Sequence, residues 1–374
     1  MHLHKIVLHN FKNYPEGEFV FSDKINCFVG NNGVGKTNLL DAIHYLSFCK
    51  SYFNPSDAQN IRHEADFFAI QGNYYRQNDT IEQLQCIQKR NQRKKFLYNK
   101  KEYDRLADHI GQFPLVMISP YDRDLINDGS DLRRRYTDSV IAQFDKLYLD
   151  DLINYNKALH QRNTLLKSFV EKRYFDAETL DIWSEQMVAL GTNIFQRRSD
   201  FLKEFIPLFQ HYFSFISGGK EKVDMNYQSQ LHAGPLSGLM KQAVERDRSA
   251  LFSTVGIHKD DLEFLMDGFP LKRYGSQGQQ KSFVIAVKLA QFEYTRKVNG
   301  FKPILLLDDI FDKLDDHRVQ QVIRLVSENS FGQVFITDTQ EDSIRKIFDP
   351  LEIDHKIFRI NGDQSGSSAG ISSD

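Results

Sequence analysis

Three short segments of this sequence carry residue types and spacings suited to chemistry on a phosphate chain. The first is Gly30-Asn31-Asn32-Gly33-Val34-Gly35-Lys36-Thr37. Its glycines let the backbone wrap phosphates with N–H groups inward, Lys36 reaches the β- and γ-phosphates, and Thr37 supplies a hydroxyl to magnesium. The second is Pro303-Ile304-Leu305-Leu306-Leu307-Asp308-Asp309, an apolar run that ends in two carboxylates. Asp308 suits a metal ion, directly or through water, and Asp309 suits orienting or deprotonating an attacking water. The third is Tyr274-Gly275-Ser276-Gln277-Gly278-Gln279-Gln280-Lys281, small and polar residues ahead of a predicted helix. The Ser276 hydroxyl and the N–H groups near Gly278 can meet a phosphate there. Taken alone, the same residues also make an ordinary capped helix start.

Each segment needs an element to hold it. Ile25-Asn26-Cys27-Phe28-Val29 reads as a short buried strand before the first loop, and the spacing predicts a helix from Thr37 to Leu46, with Leu39, Leu40, Ile43 and Leu46 on one face. Ile304 to Leu307 reads as a buried strand delivering Asp308 and Asp309 at its C-terminal end, where open α/β sheets bind ligands. A helix is expected after Ser276 through about Arg296. Further strands are expected at Glu18 to Phe21, Leu84 to Ile87 and Leu262 to Met266. Between Pro120 and Pro207 there is no proline, and from Arg133 to Ile216 the only glycine is Gly191, so that stretch is expected to be helical. The fold class that follows is α/β: one domain built from residues 1–125 and 221–362, which the resemblance given below implies is an ABC-type P-loop ATPase head, with a mainly helical lobe inserted at residues 126–220. No heptad pattern persists over three or four repeats, so no long coiled coil is expected. The Ser/Gly-rich end, residues 363–374, is expected to be a disordered tail.

Bulk properties narrow the function classes. With 374 residues and 41% hydrophobic content, two or three domains with real cores are expected. No apolar run approaches the roughly 18 residues of a membrane span, and the first residues alternate like a strand, so a soluble cytoplasmic protein is expected. Cys27, Cys49 and Cys86 have no metal-ligand spacing and read as buried hydrophobes. A net charge of −2 argues against a uniformly basic coat, so any DNA surface must be a patch. The densest cationic run holds Lys89, Arg90, Arg93, Lys94 and Lys95, then Lys100 and Lys101 past an expected turn near Asn99. Such a run suits phosphate contacts through Arg90, Arg93, Lys94, Lys95, Lys100 and Lys101, and equally suits a solvated edge hairpin. Arg133-Arg134-Arg135 suits either DNA contact or bracing of the insertion against the ATPase lobe through carboxylates.

Placed in this order, the phosphate loop, the Ser276 loop and the acidic strand resemble an ABC-type ATPase, with Ser276-Gln277-Gly278-Gln279 as the signature and Leu314-Asp315 as the D-loop. Asn10-Phe11-Lys12-Asn13-Tyr14, Thr37-Asn38-Leu39-Leu40-Asp41-Ala42-Ile43, Gly129-Ser130 before the three arginines, Tyr155 to Leu159 and Gln161-Arg162-Asn163 narrow the resemblance to the RecF family of the SMC-like branch. This resemblance implies nucleotide contacts from Lys12, Asn38, Gln277, Gly278 and Gln279 besides the loop itself. It also implies ATP and Mg2+ as cofactors, with ATP sandwiched in an ATP-dependent homodimer. Its further implications are slow DNA-stimulated hydrolysis, binding at duplex or gapped DNA, and cooperation with RecR and RecO to load RecA. Lys259, in Gly256-Ile257-His258-Lys259-Asp260-Asp261, replaces the family's usual arginine and loses its bidentate fork. Phe335 to Thr339 has no histidine where general ABC proteins carry a switch histidine. Asp309 stands where most ABC enzymes carry glutamate, and the shorter base is expected to hydrolyse slowly. A transporter ATPase subunit is the alternative, opposed by the helical insertion and by Ser-Gln-Gly-Gln in place of Leu-Ser-Gly-Gly-Gln. A small-molecule kinase or GTPase would leave the Ser276 loop without a function, and a nucleotide-binding scaffold would need no hydrolysis.

Overall fold

The computed structural model of the chain describes residues 1–76, 80–310, 316–327, 331–349 and 354–361. Its contacts divide the chain into two units. The first takes in Met1–Asp122, Phe215–Ser217 and the described residues from Lys281 onward; the second takes in Arg123–Ser214 and Gly218–Gln280. Residues 218–280 therefore group with residues 123–214, whereas the sequence reading divides the chain at 220, with 126–220 in the insertion and 221–362 in the head.

Two sheets form the first unit. One is antiparallel, built from β1 (His2–Phe11), β2 (Tyr14–Val20), β4 (Phe67–Tyr75), β5 (Ile81–Lys89), β6 (Lys95–Tyr98) and β7 (Lys101–Glu102), in the order β2-β1-β4-β5-β6-β7. In β1 the buried Leu3 and Ile6 are an odd number of residues apart, because the register slips between Leu3 and Lys5; beyond the slip, Ile6 and Leu8 alternate normally. The other sheet is parallel: β3 (Ile25–Val29), β8 (Leu115–Ile118), β12 (Ile304–Leu307), β13 (Val334–Asp338) and β14 (His355–Arg359), ordered β14-β3-β13-β12-β8. Strands β3, β8 and β12 are buried at every position, as expected of continuous apolar runs in a covered parallel sheet.

Helix α1 (Lys36–Phe48) is buried from Leu39 through Ser47 and contacts strands of both sheets. Phe19, Phe21, Phe28, Phe335 and Phe358 add an aromatic cluster to this core, with ring centroids 4.9 to 6.3 Å apart. The core thus fixes the strand ends from which the site residues project.

The second unit is mainly helical. It holds α2 (Asp124–Asn127), α3 (Ser130–Ile141), α4 (Lys146–Lys172), most of α5 (Ala177–Ser217), α6 (Leu236–Ala250) and α7 (Leu271–Tyr274). A small antiparallel sheet joins β9 (Val223–Gln228), β10 (Asp261–Met266) and β11 (Phe269–Pro270) in the order β11-β10-β9. Asp145 and Asp176 cap α4 and α5 by accepting from Tyr148 N at 2.8 Å and Thr179 N at 3.1 Å. The two helices run antiparallel: Arg162 Nε donates to Ser184 Oγ at 3.0 Å, and Arg198 Nε to Tyr148 OH at 3.1 Å. Helix α5 continues through Pro207, which does not end it.

Helix α8 (Gln277–Asn299) starts in the second unit and continues in the first, extending slightly beyond the expected end at Arg296. Helices α9 (Asp316–Ser327) and α10 (Glu341–Phe348) complete the first unit. The expected D-loop, Leu314-Asp315, and the expected tail lie outside the described residues. Among those described, no helix is long and apolar enough to cross a membrane.

Candidate nucleotide site

The phosphate loop connects β3 to α1, and two of its glycines are sterically required. Gly30 has φ of +152°, and a Cβ there would sit 2.3 Å from the Ile360 carbonyl oxygen. Gly35 has φ of +115°, and a Cβ there would meet Asn13 Nδ2 at 2.4 Å. The Asn13 contact is a brace: Nδ2 donates to Val34 O at 2.9 Å, and Oδ1 accepts from Asn38 Nδ2 at 2.8 Å. Tyr14 OH adds a bond to Gly35 O at 3.1 Å. Asn31, Asn32 and Gly33 are exposed along the crest. Helix α1 has no side-chain cap at its N-terminus, so its first N–H groups and positive dipole end face the loop.

Lys36 Nζ donates to Gly30 O at 2.5 Å and Asn31 O at 2.9 Å, which holds the ammonium inside the loop. Burial pushes its pKa down, opposed by Asp309, Asp308 and Asp338. These carboxylates come from the ends of neighbouring parallel strands, since Leu307 of β12 pairs with Ile336 of β13. Asp308 is buried: its Oδ1 accepts from Thr37 Oγ1 at 2.9 Å and Thr337 Oγ1 at 3.0 Å, and its Oδ2 lies 3.5 Å from Ser119 Oγ. Burial raises the Asp308 pKa and the Asp309 charge adds to this, while the three hydroxyls act the other way. Asp309 is exposed at φ +48°, with its N–H donating to Thr337 Oγ1 at 2.9 Å. Thr337 therefore holds the Asp308 carboxylate and the Asp309 backbone from the segment that has no histidine. Asp338 has its pKa raised chiefly by burial, with Asp309 contributing.

The Thr37 hydroxyl and the Asp308 carboxylate are hard oxygen donors in direct contact, a pairing that suits Mg2+. Among the described residues no cluster of three or more His, Cys, Asp or Glu side chains forms a closed metal cage. An ion here fits the open type of site, completed by substrate phosphates and water.

The Ser276 loop forms a reciprocal cap on α8. Ser276 N donates to Gln279 Oε1 at 2.7 Å, and Gln279 N donates to Ser276 Oγ at 3.3 Å. Gln279 Nε2 also reaches Glu221 Oε1 at 2.8 Å. Ser276 and Gln277 are exposed, and Gly278 is partly so. The capped helix start and a phosphate-facing loop are thus compatible, because the cap leaves the loop on the surface.

Several expected contacts are redirected. Lys12, expected at the nucleotide, forms an ion pair with the fully buried Asp41 at 2.6 Å, its ammonium 5.3 Å from the Phe53 ring centre. Lys94 does not belong to an exposed cationic patch: its ammonium donates to Tyr45 OH at 2.8 Å, Cys49 O at 2.5 Å and Asp57 Oδ2 at 2.7 Å. Arg90, Arg93, Lys95, Lys100 and Lys101 are exposed, but they divide between the two ends of β6. Arg90 donates to Ala65 O at 2.9 Å and Arg93 to Asp104 O at 3.1 Å. At the other end Asn99 and Lys100 form a two-residue turn with φ of 47° and 69°. In the arginine cluster, Arg133 and Arg134 make carboxylate and carbonyl contacts within the second unit: Arg133 grips Asp261 with bonds of 2.7 and 3.0 Å, and Arg134 donates to Asp260 O at 2.7 Å. Arg135 pairs with Asp131 on the surface. Lys259, at the departure from the family pattern, lies 4.8 Å from the Phe252 ring centre.

Comparison with known proteins gives this geometry a family. The model of the RecF/RecN/SMC N terminal domain matches residues 2–360. The DNA replication and repair protein RecF of Phocaeicola vulgatus is 53% identical over 361 residues, 96% of each chain. Its counterpart from Flavobacterium johnsoniae is 49% identical over 360 residues, spanning 96% of this chain and 100% of that protein. A solved structure of the recombination mediator protein RecF with ATP, from the RecFOR pathway, superposes with a TM-score of 0.87 at 27% identity over 96% of each chain. The SMC head domain of Pyrococcus furiosus, at 17% identity and a TM-score of 0.56 over 96% of this chain and 94% of that one, shares the fold. The chain belongs to the RecF/RecN/SMC family and, within it, to the RecF proteins.

Proposed function

We propose that the chain is an ATP-dependent DNA-binding protein of recombinational repair and replication, using slow, DNA-stimulated ATP hydrolysis for assembly and release. The observation that carries this reading is the direct contact of Thr37 with Asp308, which joins the phosphate loop to the acidic strand end as a Mg2+·ATP site requires. The likeness to RecF proteins of DNA replication and repair, one of them solved with ATP, supports the same reading. Lys36 holds the β- and γ-phosphates, Thr37 and Asp308 hold the metal, and Asp309 directs the water. Ser276, Gln277, Gly278 and Gln279 face the nucleotide of a second copy, so ATP drives homodimerisation. RecR, acting with RecO and RecA, is the protein partner, and gapped or duplex DNA is the nucleic acid.

Sedimentation of wild type, Lys36→Arg and Ser276→Arg, with ATP and with or without gapped DNA, tests the sandwich. Wild type is expected to dimerise on ATP and Ser276→Arg to remain monomeric while still binding nucleotide. A chain that stays monomeric throughout would sink the reading.

For DNA, Arg90, Arg93 and Lys95 form the contact set at one end of β6, and Lys94 is removed from it by its burial against Asp57. Changing those three residues to glutamine is expected to flatten the salt dependence of duplex binding by up to about three in log–log slope, at about 0.9 per phosphate. Lys100→Gln/Lys101→Gln, at the opposite turn, separates the two ends. Salt titrations that leave the slope unchanged in both variants would exclude the hairpin.

A further inference from the structure

We propose that Tyr52, Asp122 and Lys288 form a buried positioning triad, which ties the helix headed by the Ser276 loop to the turn beside Asp308 and to the phosphate-loop helix. This deepens the nucleotide-site reading above and rests on it.

The ion pair at the centre is nearly inaccessible: Lys288 Nζ lies 2.8 Å from Asp122 Oδ1, and both side chains are 5% exposed. Tyr52 completes a triangle, its hydroxyl donating to Asp122 Oδ1 and accepting from Lys288 Nζ at 2.9 Å. Each corner leads to one element of the site. Asp122 Oδ2 accepts from Ser119 N at 2.7 Å and Asp122 N donates to Ser119 O at 3.0 Å, which locks the turn after β8. That turn adjoins the metal carboxylate, since Asp308 N donates to Ile118 O at 2.8 Å and Ser119 Oγ lies 3.5 Å from Asp308 Oδ2.

Tyr52 leads to α1, where its N–H donates to Asp41 Oδ1 at 2.7 Å. Ser51 Oγ and Lys12 share Asp41 Oδ2, each at 2.6 Å. Asp41 lies on the same helix as Lys36 and Thr37. Lys288 lies on α8, the helix that follows the Ser276 loop, so a shift of its part of α8 is carried to the ion pair. Because a buried charge cannot leave its partner without a large cost, the Asp122 turn must follow or the ion pair must break. A displacement at the Ser119 turn then alters the setting of Asp308. The triad is a positioning device, acting through the Ser119 turn and α1.

Tyr52→Phe removes one hydroxyl and keeps the ring, and Lys288→Met and Asp122→Asn remove the charges. In the full chain, Tyr52→Phe and Lys288→Met are expected to lower single-turnover hydrolysis at saturating ATP about tenfold or more, with ATP affinity within about threefold, because misplacement acts on the chemical step. The Mg2+ concentration giving half-maximal rate is expected to rise. In the ligand-free protein, amide exchange of peptides containing Ser119 and Asp308 is expected to accelerate, while Tyr98→Phe, which removes a distant bond to Glu82, changes none of these readouts. Folded Tyr52→Phe and Lys288→Met proteins with wild-type rates, Mg2+ dependence and exchange at Ser119 would overturn the triad. A lowered melting temperature with an unchanged rate per folded molecule would also overturn it, by reducing it to a packing role. A wild-type chain that neither binds nor hydrolyses Mg2+·ATP would overturn the nucleotide reading and the triad together, whereas an active wild type with unaffected variants overturns the triad alone.

Discussion

Asp308→Asn is expected to lower single-turnover ATP hydrolysis by about a hundredfold or more, the scale lost when a preorganised electrostatic partner of the transferring phosphoryl group is removed. The geometry of the substitution is benign. An asparagine Oδ1 can still accept from the Thr37 and Thr337 hydroxyls, and its Nδ2 can donate to Ser119 Oγ. Only the negative charge, the feature proposed to attract Mg2+, is lost. The ligand-free protein should respond in the opposite sense. Burial and the Asp309 charge raise the folded-state pKa of Asp308 above its unfolded value. A carboxyl group shifted upward contributes stability that is fully present below the unfolded pKa and lost as pH rises through the folded pKa. At pH 8 the ionised group therefore weighs against the fold, and Asp308→Asn is expected to melt higher than wild type. The gap should close as pH falls toward about 4, the ordinary value for aspartate. Thermal melts at pH 4, 6 and 8, with rapid-quench hydrolysis at pH 8, check both arms. A variant with near-wild-type hydrolysis contradicts the metal assignment, and one that melts no higher at pH 8 contradicts the assigned electrostatics.

Arg198→Met is expected to cost about 3–5 kcal/mol of stability, the range for breaking a buried ion pair from one side. Arg198 is 2% exposed and donates to Asp138 Oδ1 at 2.8 Å, Asp260 Oδ2 at 2.9 Å, Ile257 O at 3.0 Å and Tyr148 OH at 3.1 Å. Those bonds join α3, α4, α5 and the turn before β10. Methionine fills much of the volume but leaves the Asp260 carboxylate, 1% exposed, with the Tyr227 hydroxyl at 2.6 Å and the Ser229 side chain and no cation to balance its charge. Burial already raises the Asp260 pKa against the pull of Arg198, so losing Arg198 raises it further. By the same linkage, the variant's deficit should be largest at pH 8 and shrink as pH falls toward 5. Urea unfolding followed by the single tryptophan, Trp183 on α5, measures it. Lys203→Met is the control, because the Lys203–Asp200 pair is 72% and 55% exposed and such pairs contribute about 0–1 kcal/mol. A loss below about 1 kcal/mol for Arg198→Met would show that water reaches the network.

What was legible in the sequence was what depends on neighbours along the chain. Strands β3 and β12 have the bounds their apolar runs suggest, because a strand covered on both faces leaves no choice of register to the polar residues. The phosphate loop was legible because its spacing is itself the geometry. Contacts made across the sheet were not. Asn13 braces Val34 from 21 residues away, and a lone asparagine in a turn carries no mark of that role. Thr337 and Asp338 join Asp308 and Asp309 only because β13 lies beside β12. Lys94 sits in a basic run indistinguishable from Arg93 and Lys95, and the fold that brings Tyr45 and Asp57 under it decides its fate. The grouping of residues 221–280 with the helical unit rests on contacts of the same kind: β10 pairs with β9, and Arg133 of α3 grips Asp261, pairings of segments apart in the chain.

The parallel sheet has a consequence for the order of events on the ribosome. Strand β3 carries the phosphate loop at its end and is made early, yet both its neighbours, β13 and β14, lie beyond residue 330. Until residues 334–359 have emerged, β3 lacks both its neighbours, and until β12 has emerged Thr37 has no Asp308. The antiparallel sheet and the helical unit have their strands and helices contiguous enough to fold during synthesis, whereas the nucleotide loop must wait, exposed, for the last strands. Nucleotide capture therefore depends on β12, β13 and β14: a product stopping before residue 300 lacks the acidic strand and both flanks of β3, and is matter for chaperones or proteases rather than an ATP-binding competitor.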